Sequence, residues 1–269
     1  MPLGLVELMT NVKIRKMTKL SESFMNDVTQ LLKAHRSIRK FTDRAIEDDV
    51  INEIIICGQA AATSSNIQAT TVIRIRNKDT RATLAELAGG QKYVESAATF
   101  LMFCADLQRP QKACEMQGGD FSEGMTEHFI IASTDVALMA QNCVIAAESL
   151  GLGICYIGGI RNNPQQVSDL LGLPDQVYPL FGLCLGYPDQ NPEIKPRLPL
   201  SVVLKEETYQ SKNDVADIKE YDSQVSEYYK TRSRGRKDSS WTEEMKVLVG
   251  KESRPHMRDF LRKRGFLMK

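Results

Sequence analysis

Apolar side chains run almost unbroken through residues 129–150, interrupted by Ser133, Thr134, Asp135, Gln141, Asn142 and Glu148. A membrane span there would bury two carboxylates in hydrocarbon, so the stretch predicts a buried helix instead. Residues 99–105 are continuously apolar as well, and their shortness predicts a strand covered on both faces. Residues 71–76 alternate in character and predict another strand. Helical spacing appears over residues 26–34 and again at Ile46, Val50, Ile54 and Cys57, with a charged loop between them.

The second half of the chain is well punctuated. Residues 154–157 predict a short strand ending at Gly158 and Gly159. A helix follows, with Asn163 as N-cap, Pro164 in the first turn, Val167, Leu170 and Leu171 facing inward, and a stop near Gly172. Residues 178–186 and 201–205 predict two more strands, separated by a proline-rich loop over 188–199. A helix over 214–231 carries Val215, Ile218, Tyr221, Val225 and Tyr228 on one side. The basic loop of Arg232, Arg234, Arg236 and Lys237 comes next, and Ser240 with Glu243 forms a capping box that starts another helix at Trp241. This order, without internal repeats, predicts an α/β (α+β) domain with one mixed central sheet flanked by helices. Residues 1–25 read as an N-terminal extension, 26–269 as one domain, and 206–269 as its C-terminal helical excursion.

Composition narrows the classes. The chain has 269 residues, 42% of them hydrophobic, enough for a substantial core. Its 35 basic and 34 acidic residues leave a net charge of +1, so no global field points to nucleic acid or a membrane as partner. The six cysteines lack metal-ligand or redox spacing and read as reduced thiols of a cytoplasmic protein. Apolar residues 3–9 precede Lys13, Arg15, Lys16 and Lys19, the reverse of a secretory signal.

Two cationic segments can bind phosphate. His35, Arg36, Ser37 and Arg39 put two guanidiniums, an imidazole and a hydroxyl within five residues; Lys195-Pro196-Arg197 is a second pair, stiffened by proline. Each taken alone also fits an ordinary solvated loop. Tyr156-Ile157-Gly158-Gly159 follows a strand, and paired glycines let a planar ligand approach backbone amides; a structural turn is the competing reading. Gly151-Leu152-Gly153 lacks the third glycine of a dinucleotide fingerprint, since Tyr156 stands there. No nucleophile elbow, zinc motif or P-loop is present, and no metal site is expected, so a bound organic cofactor is the expected source of reactivity.

Taken in order, His35-Arg36-Ser37-Ile38-Arg39-Lys40-Phe41, Gly89-Gly90-Gln91, Met139-Ala140-Gln141-Asn142, Ala146-Ala147-Glu148-Ser149-Leu150-Gly151-Leu152-Gly153, Tyr156-Ile157-Gly158-Gly159, Lys195-Pro196-Arg197-Leu198-Pro199 and Glu252-Ser253-Arg254-Pro255 resemble the bacterial group A nitroreductase and NADPH-flavin oxidoreductase family. The resemblance runs from about residue 28 to 265. It implies a nitroreductase-like fold, an intertwined homodimer joined through the 129–150 helix, bound FMN, and NADPH as cosubstrate.

By the same resemblance, His35, Arg36, Ser37, Lys195 and Arg197 would hold the FMN phosphate and ribityl chain, with Ile38 in the same segment. Arg39 and Gln91 would reach the pyrimidine edge of the ring, and Tyr156, Ile157, Gly158 and Gly159 its N5 side. The family's serine-rich segment is here Ala62-Thr63-Ser64-Ser65-Asn66-Ile67-Gln68, with Thr63 facing the flavin. Arg232 and Arg236 would read NADPH, while Ser65, Ile67, Arg254 and His256 would line the acceptor pocket.

The implied reaction is a ping-pong, two-electron reduction of small-molecule acceptors such as nitro compounds and quinones. No side-chain acid or base is implied, and Arg39 acts electrostatically. An NADPH-flavin reductase that supplies reduced FMN, and a non-catalytic flavin-binding regulator, are the alternatives.

Overall fold

The strand β2, Thr99–Asp106, is buried along its whole length because its neighbours cover both edges and both faces. It pairs with β1, Thr70–Ile75, on one side and with β4, Val177–Gly186, on the other; β3, Gly153–Ile157, lies outside β4. The computed structural model describes residues 26–269, so the expected extension over residues 1–25 lies outside the described residues. The chain divides into a first unit ending at His35 and a second, Arg36–Lys269. Of the first unit, helix α1, Asp27–Lys33, is described, started by a capping box in which Asn26 and Thr29 exchange bonds.

In the second unit, α2, Asp48–Gln59, precedes β1, while α3, Lys78–Leu87, and the short α4, Tyr93–Ser96, lead into β2. Then come α5, Gln108–Met116, and the long α6, Thr126–Ser149. A 3-10 turn, Gly158–Asn162, joins β3 to α7, Pro164–Leu170. After β4 follow α8, Leu200–Val203; α9, Asp214–Ser233; α10, Trp241–Leu248; and α11, Met257–Lys263.

One core cluster joins α2, α6 and one sheet face through Ile54, Ala140, Val144, Leu101 and Phe103. A second lies across the sheet, where Leu84, Val94, Phe100, Met102 and Ile160 meet. Helix α6 is long and apolar enough to cross a membrane by composition, but it packs against α2 and the sheet as a core helix does. Helices α9 and α10 share a small cluster of their own around Tyr221, Val225, Tyr228 and Tyr229.

Helices flank the sheet as expected, with four corrections of detail. Every described strand pair is antiparallel, in the order β1-β2-β4-β3, so the sheet is not mixed in direction. Residues 201–205 form no strand: Pro199 leads into the single turn α8, and Ser201 Oγ donates to Asp217 at 2.6 Å while Lys205 Nζ reaches Asp214. Asn163 does not cap α7 with its side chain, whose Nδ2 donates instead to the Leu87 carbonyl at 2.8 Å. Leu170 is 39% exposed and faces outward, leaving Val167 as the buried anchor of that helix.

Candidate functional site

The segment after Arg36 is irregular but bonded to the sheet at separate points. Ile38 N–H donates to the Ile154 carbonyl at 2.8 Å, and the Ile38 side chain is buried over Gly153, where a Cβ would sit 2.5 Å from it. Thr42 N–H donates to the Tyr187 carbonyl, Asp189 N–H to that of Lys40, and Phe41 bridges Pro188. These bonds join the Arg36 to Arg39 cations to the start of the loop that carries Lys195 and Arg197. Two segments far apart in sequence thereby leave the same edge. His35 ends the first unit, its N–H donating to the Leu32 carbonyl at 3.4 Å.

The second clip is fixed to α9. Lys195 Nζ donates to Tyr229 Oη at 2.8 Å, Arg197 donates to the Lys195 carbonyl, and Tyr221 Oη donates to the Pro196 carbonyl. Lys237 lies 4.0 Å from the Tyr229 ring centroid and pairs with Glu244 at 2.9 Å. Arg232 belongs to the last turn of α9, not to a loop, and donates to Tyr228 Oη at 3.1 Å. Arg236 Nε donates to the Ser233 carbonyl, and Arg234, at φ 53, ends the helix in the left-handed region.

A polar cluster surrounds Arg39 and Gln91. Tyr93 Oη donates to Gln91 Oε1, Gln91 Nε2 donates to the Ala88 carbonyl at 2.7 Å, and the Arg39 guanidinium lies beside both Tyr93 and Cys155. Burial pushes the Tyr93 hydroxyl up, with Arg39 opposing that shift. Gly159 is required there, since a Cβ would fall 2.2 Å from the Ala88 oxygen and 2.3 Å from Gln91 Nε2. Tyr156 packs edge-on against Phe181 at 5.0 Å, burial raising its hydroxyl, and Ile157 is buried. Arg254, at φ 52, donates through Nε to Asn162 Oδ1 at 2.9 Å, and His256 Nε2 lies 3.0 Å from the Arg161 carbonyl. The approach to α11 is thus tied to the glycine turn.

Thr63 and Ile67 belong to a different group. With Gly58, Gln68, Arg109 and Met139 they line a cavity of about 450 Å³ between α2, α6 and the start of β1. Their loop is strained: Ser65, Asn66 and Gln68 have φ of 47, 58 and 56. A left-handed non-glycine residue costs about 1–3 kcal/mol, least for asparagine. Asp135 of α6, 1% exposed, opposes that cost: its Oδ1 accepts from Ser64 N–H at 3.0 Å and its Oδ2 from Ala69 N–H at 3.2 Å. Each such charge-assisted bond is worth about 1.5–3 kcal/mol. The two effects are comparable in size.

Sequence reasoning missed Tyr93, Tyr229 and Asp135 as site residues. The last had a visible signal, a lone carboxylate at the centre of an apolar helix. FMN fits the chemistry of the donor set: cations and a hydroxyl at one edge for a single phosphate, an amide and a guanidinium for a polar ring edge, and a glycine cradle beside them. Among the described residues no group of His, Cys, Asp and Glu is placed to hold a metal.

The sequence profile of the nitroreductase family matches residues 32–187, and that of the nitroreductase family C-terminal domain matches 195–269. The chain is 47% identical over 241 residues to the NADPH-flavin oxidoreductase of Vibrio harveyi, covering 90% of this chain and 98% of that one. It is 43% identical over 242 residues to the oxygen-insensitive NADPH nitroreductase of Salmonella typhimurium, covering 90% and 99%. The crystal structure of nitroreductase A from Vibrio parahaemolyticus superposes with a TM-score of 0.84 at 45% identity, covering 91% of this chain and all of that one.

Proposed function

The chain belongs to the nitroreductase family, and on that premise we propose that it is an FMN-dependent NADPH oxidoreductase reducing nitro compounds, quinones or related small acceptors in a ping-pong cycle. The observation that carries this reading is that the segment following Arg36 and Arg39 pairs, through Lys40 with Asp189 and Phe41 with Pro188, with the start of the loop that carries Lys195 and Arg197. When bound, FMN supplies the two-electron hydride chemistry that no side chain here offers.

The chain's own residues bind and orient. Arg36, Lys195 and Arg197 neutralise the phosphate, and Ser37 donates a hydrogen bond to it. Arg39 and Gln91, braced by Tyr93, fix the polar edge of the ring and favour negative charge there. Gly159 lets the turn close onto Ala88 and Gln91 and so sets the Gln91 amide beside it, and Arg254 and His256 wall that turn. Arg232 meets the 2′-phosphate of NADPH. A second reading, reduction of free flavin for use elsewhere, is favoured by the similarity to the NADPH-flavin oxidoreductase of Vibrio harveyi.

The protein acts as a cytoplasmic homodimer and needs no nucleic acid or membrane. The exposed apolar residues of α6, Ile130 at 51% and Leu138 at 44%, support a second copy as their cover. Domain limits of 26–269, with an excursion over 206–269, complete the proposal. Chromatography of heat-released cofactor, followed by NADPH oxidation with nitrofurazone or FMN as acceptor, tests it. FMN in the supernatant and turnover of either acceptor are expected; a flavin-free protein that cannot be reconstituted with FMN would overturn it.

A further inference from the structure

The cavity of about 450 Å³ is bordered by a loop with a strained backbone. Within six residues the loop 63–68 places three non-glycine residues in the left-handed region, at Ser65, Asn66 and Gln68. The side chains it turns into the cavity are Thr63, Ile67 and Gln68. The bonds it makes to itself are few: Ile67 N–H to the Ser64 carbonyl, and a long pair from Gln68 Nε2 to Asn66 at 3.3 and 3.4 Å. Asp135 grips both of its ends from outside, accepting Ser64 N–H on one oxygen and Ala69 N–H on the other, while Arg109 holds the second end alone by donating to the Gln68 carbonyl at 3.3 Å. That carboxylate is buried in the middle of the longest helix.

We propose that Asp135 is a positioning residue for acceptor binding: its two oxygens staple the ends of the 63–68 loop to α6, forcing the left-handed turns that present Thr63 and Ile67 to the ligand. The inference rests on the proposed function in placing that loop at the flavin and acceptor. Asp135 touches neither; it acts through backbone. The chemistry demands a carboxylate. An asparagine offers one acceptor oxygen, and its amide would point a second donor at whichever N–H it faces, leaving one end of the loop free.

The test uses the purified, FMN-loaded enzyme with NADPH and nitrofurazone. Asp135→Asn should raise the acceptor KM at least tenfold while kcat and NADPH KM stay within twofold. Asn66→Gly alone should change little, because glycine accepts φ 58 without strain. Combined with Asp135→Asn it should recover only a small part of the lost KM, because asparagine already tolerates that conformation and Ser65 and Gln68 stay strained. A residue serving stability alone would lower Tm and leave the acceptor KM unchanged.

Ser64→Pro gives a second route that leaves the core intact: it deletes one of the two donated N–H groups at a position whose backbone stays helical. It should raise the acceptor KM in the same direction. Wild-type acceptor KM in either Asp135→Asn or Ser64→Pro would overturn the inference. An enzyme that turns over no acceptor even before mutation would instead count against the proposed function.

Discussion

Arg232 donates from its guanidinium to the hydroxyl of Tyr228 one helical turn earlier, at 3.1 Å, with the guanidinium carbon 5.8 Å from the ring centroid. The arginine is held before any nucleotide arrives, so less rotamer entropy is lost on binding. Arg232→Ala should lower kcat/KM for NADPH by roughly 10- to 150-fold while that for NADH changes little. Tyr228→Phe should show a smaller loss of the same selectivity. Steady-state kinetics with both nucleotides checks this, and equal losses with both would assign Arg232 a structural role.

Lys195 reaches Tyr229 from a proline-stiffened loop, so its ammonium is pre-placed for a phosphate. Lys195→Ala should weaken FMN by about 1.5–3 kcal/mol, and Arg36→Ala by a similar amount. Fluorescence titration of the apoprotein reads both; an unchanged dissociation constant would return either residue to the solvated surface.

Gly159→Ala should be more damaging than its size suggests. The added methyl meets the Ala88 carbonyl and the Gln91 amide at once, so backbone must move. A stability loss of about 1–3 kcal/mol is expected from the clash. Thermal melts of apoprotein and FMN titration together separate that loss from displacement of Gln91.

Light scattering at micromolar concentration should give about twice the 30.2 kDa chain mass. Leu138→Glu, which puts charge on the exposed apolar side of α6, should shift the population to monomer and release FMN with it. A stable monomer that retains FMN would contradict the dimer.

Burial pushes the thiols of Cys104 and Cys143 up to about 12, and those of Cys155 and Cys184 upward too. Since the thiolate is the reactive form and burial both disfavours it and blocks access to these four, a thiol reagent at pH 8 should label only Cys57 and Cys114 quickly. All six should react in denaturant.

What the sequence disclosed followed from local chemistry. The Ser240 and Glu243 box is present as read, with Glu243 accepting Ser240 N–H at 2.8 Å, because both partners lie within one turn. The continuous apolar run of β2 announced its burial on both faces in the same way. Residues 201–205 misled because their turn is held by Asp214 and Asp217 of a later helix, a tertiary contact that local propensity does not encode. Strand direction was equally hidden, since β2 and β4 are separated by α6. Tyr93 and Asp135 escaped because their roles depend on where a side chain points, and spacing gives only the face it leaves from.

That separation of β2 from β4 bears on how the chain is made. During synthesis β2 and β1 emerge early, yet the partner that covers the other edge of β2 appears only after α5, α6, β3 and α7 have left the ribosome. Until then an apolar edge waits unpaired, the condition under which nascent chains associate wrongly. Closing so long a loop is also slow. Conditions that retard translation between β2 and β4 should therefore lower the soluble yield, while the finished protein's stability stays the same.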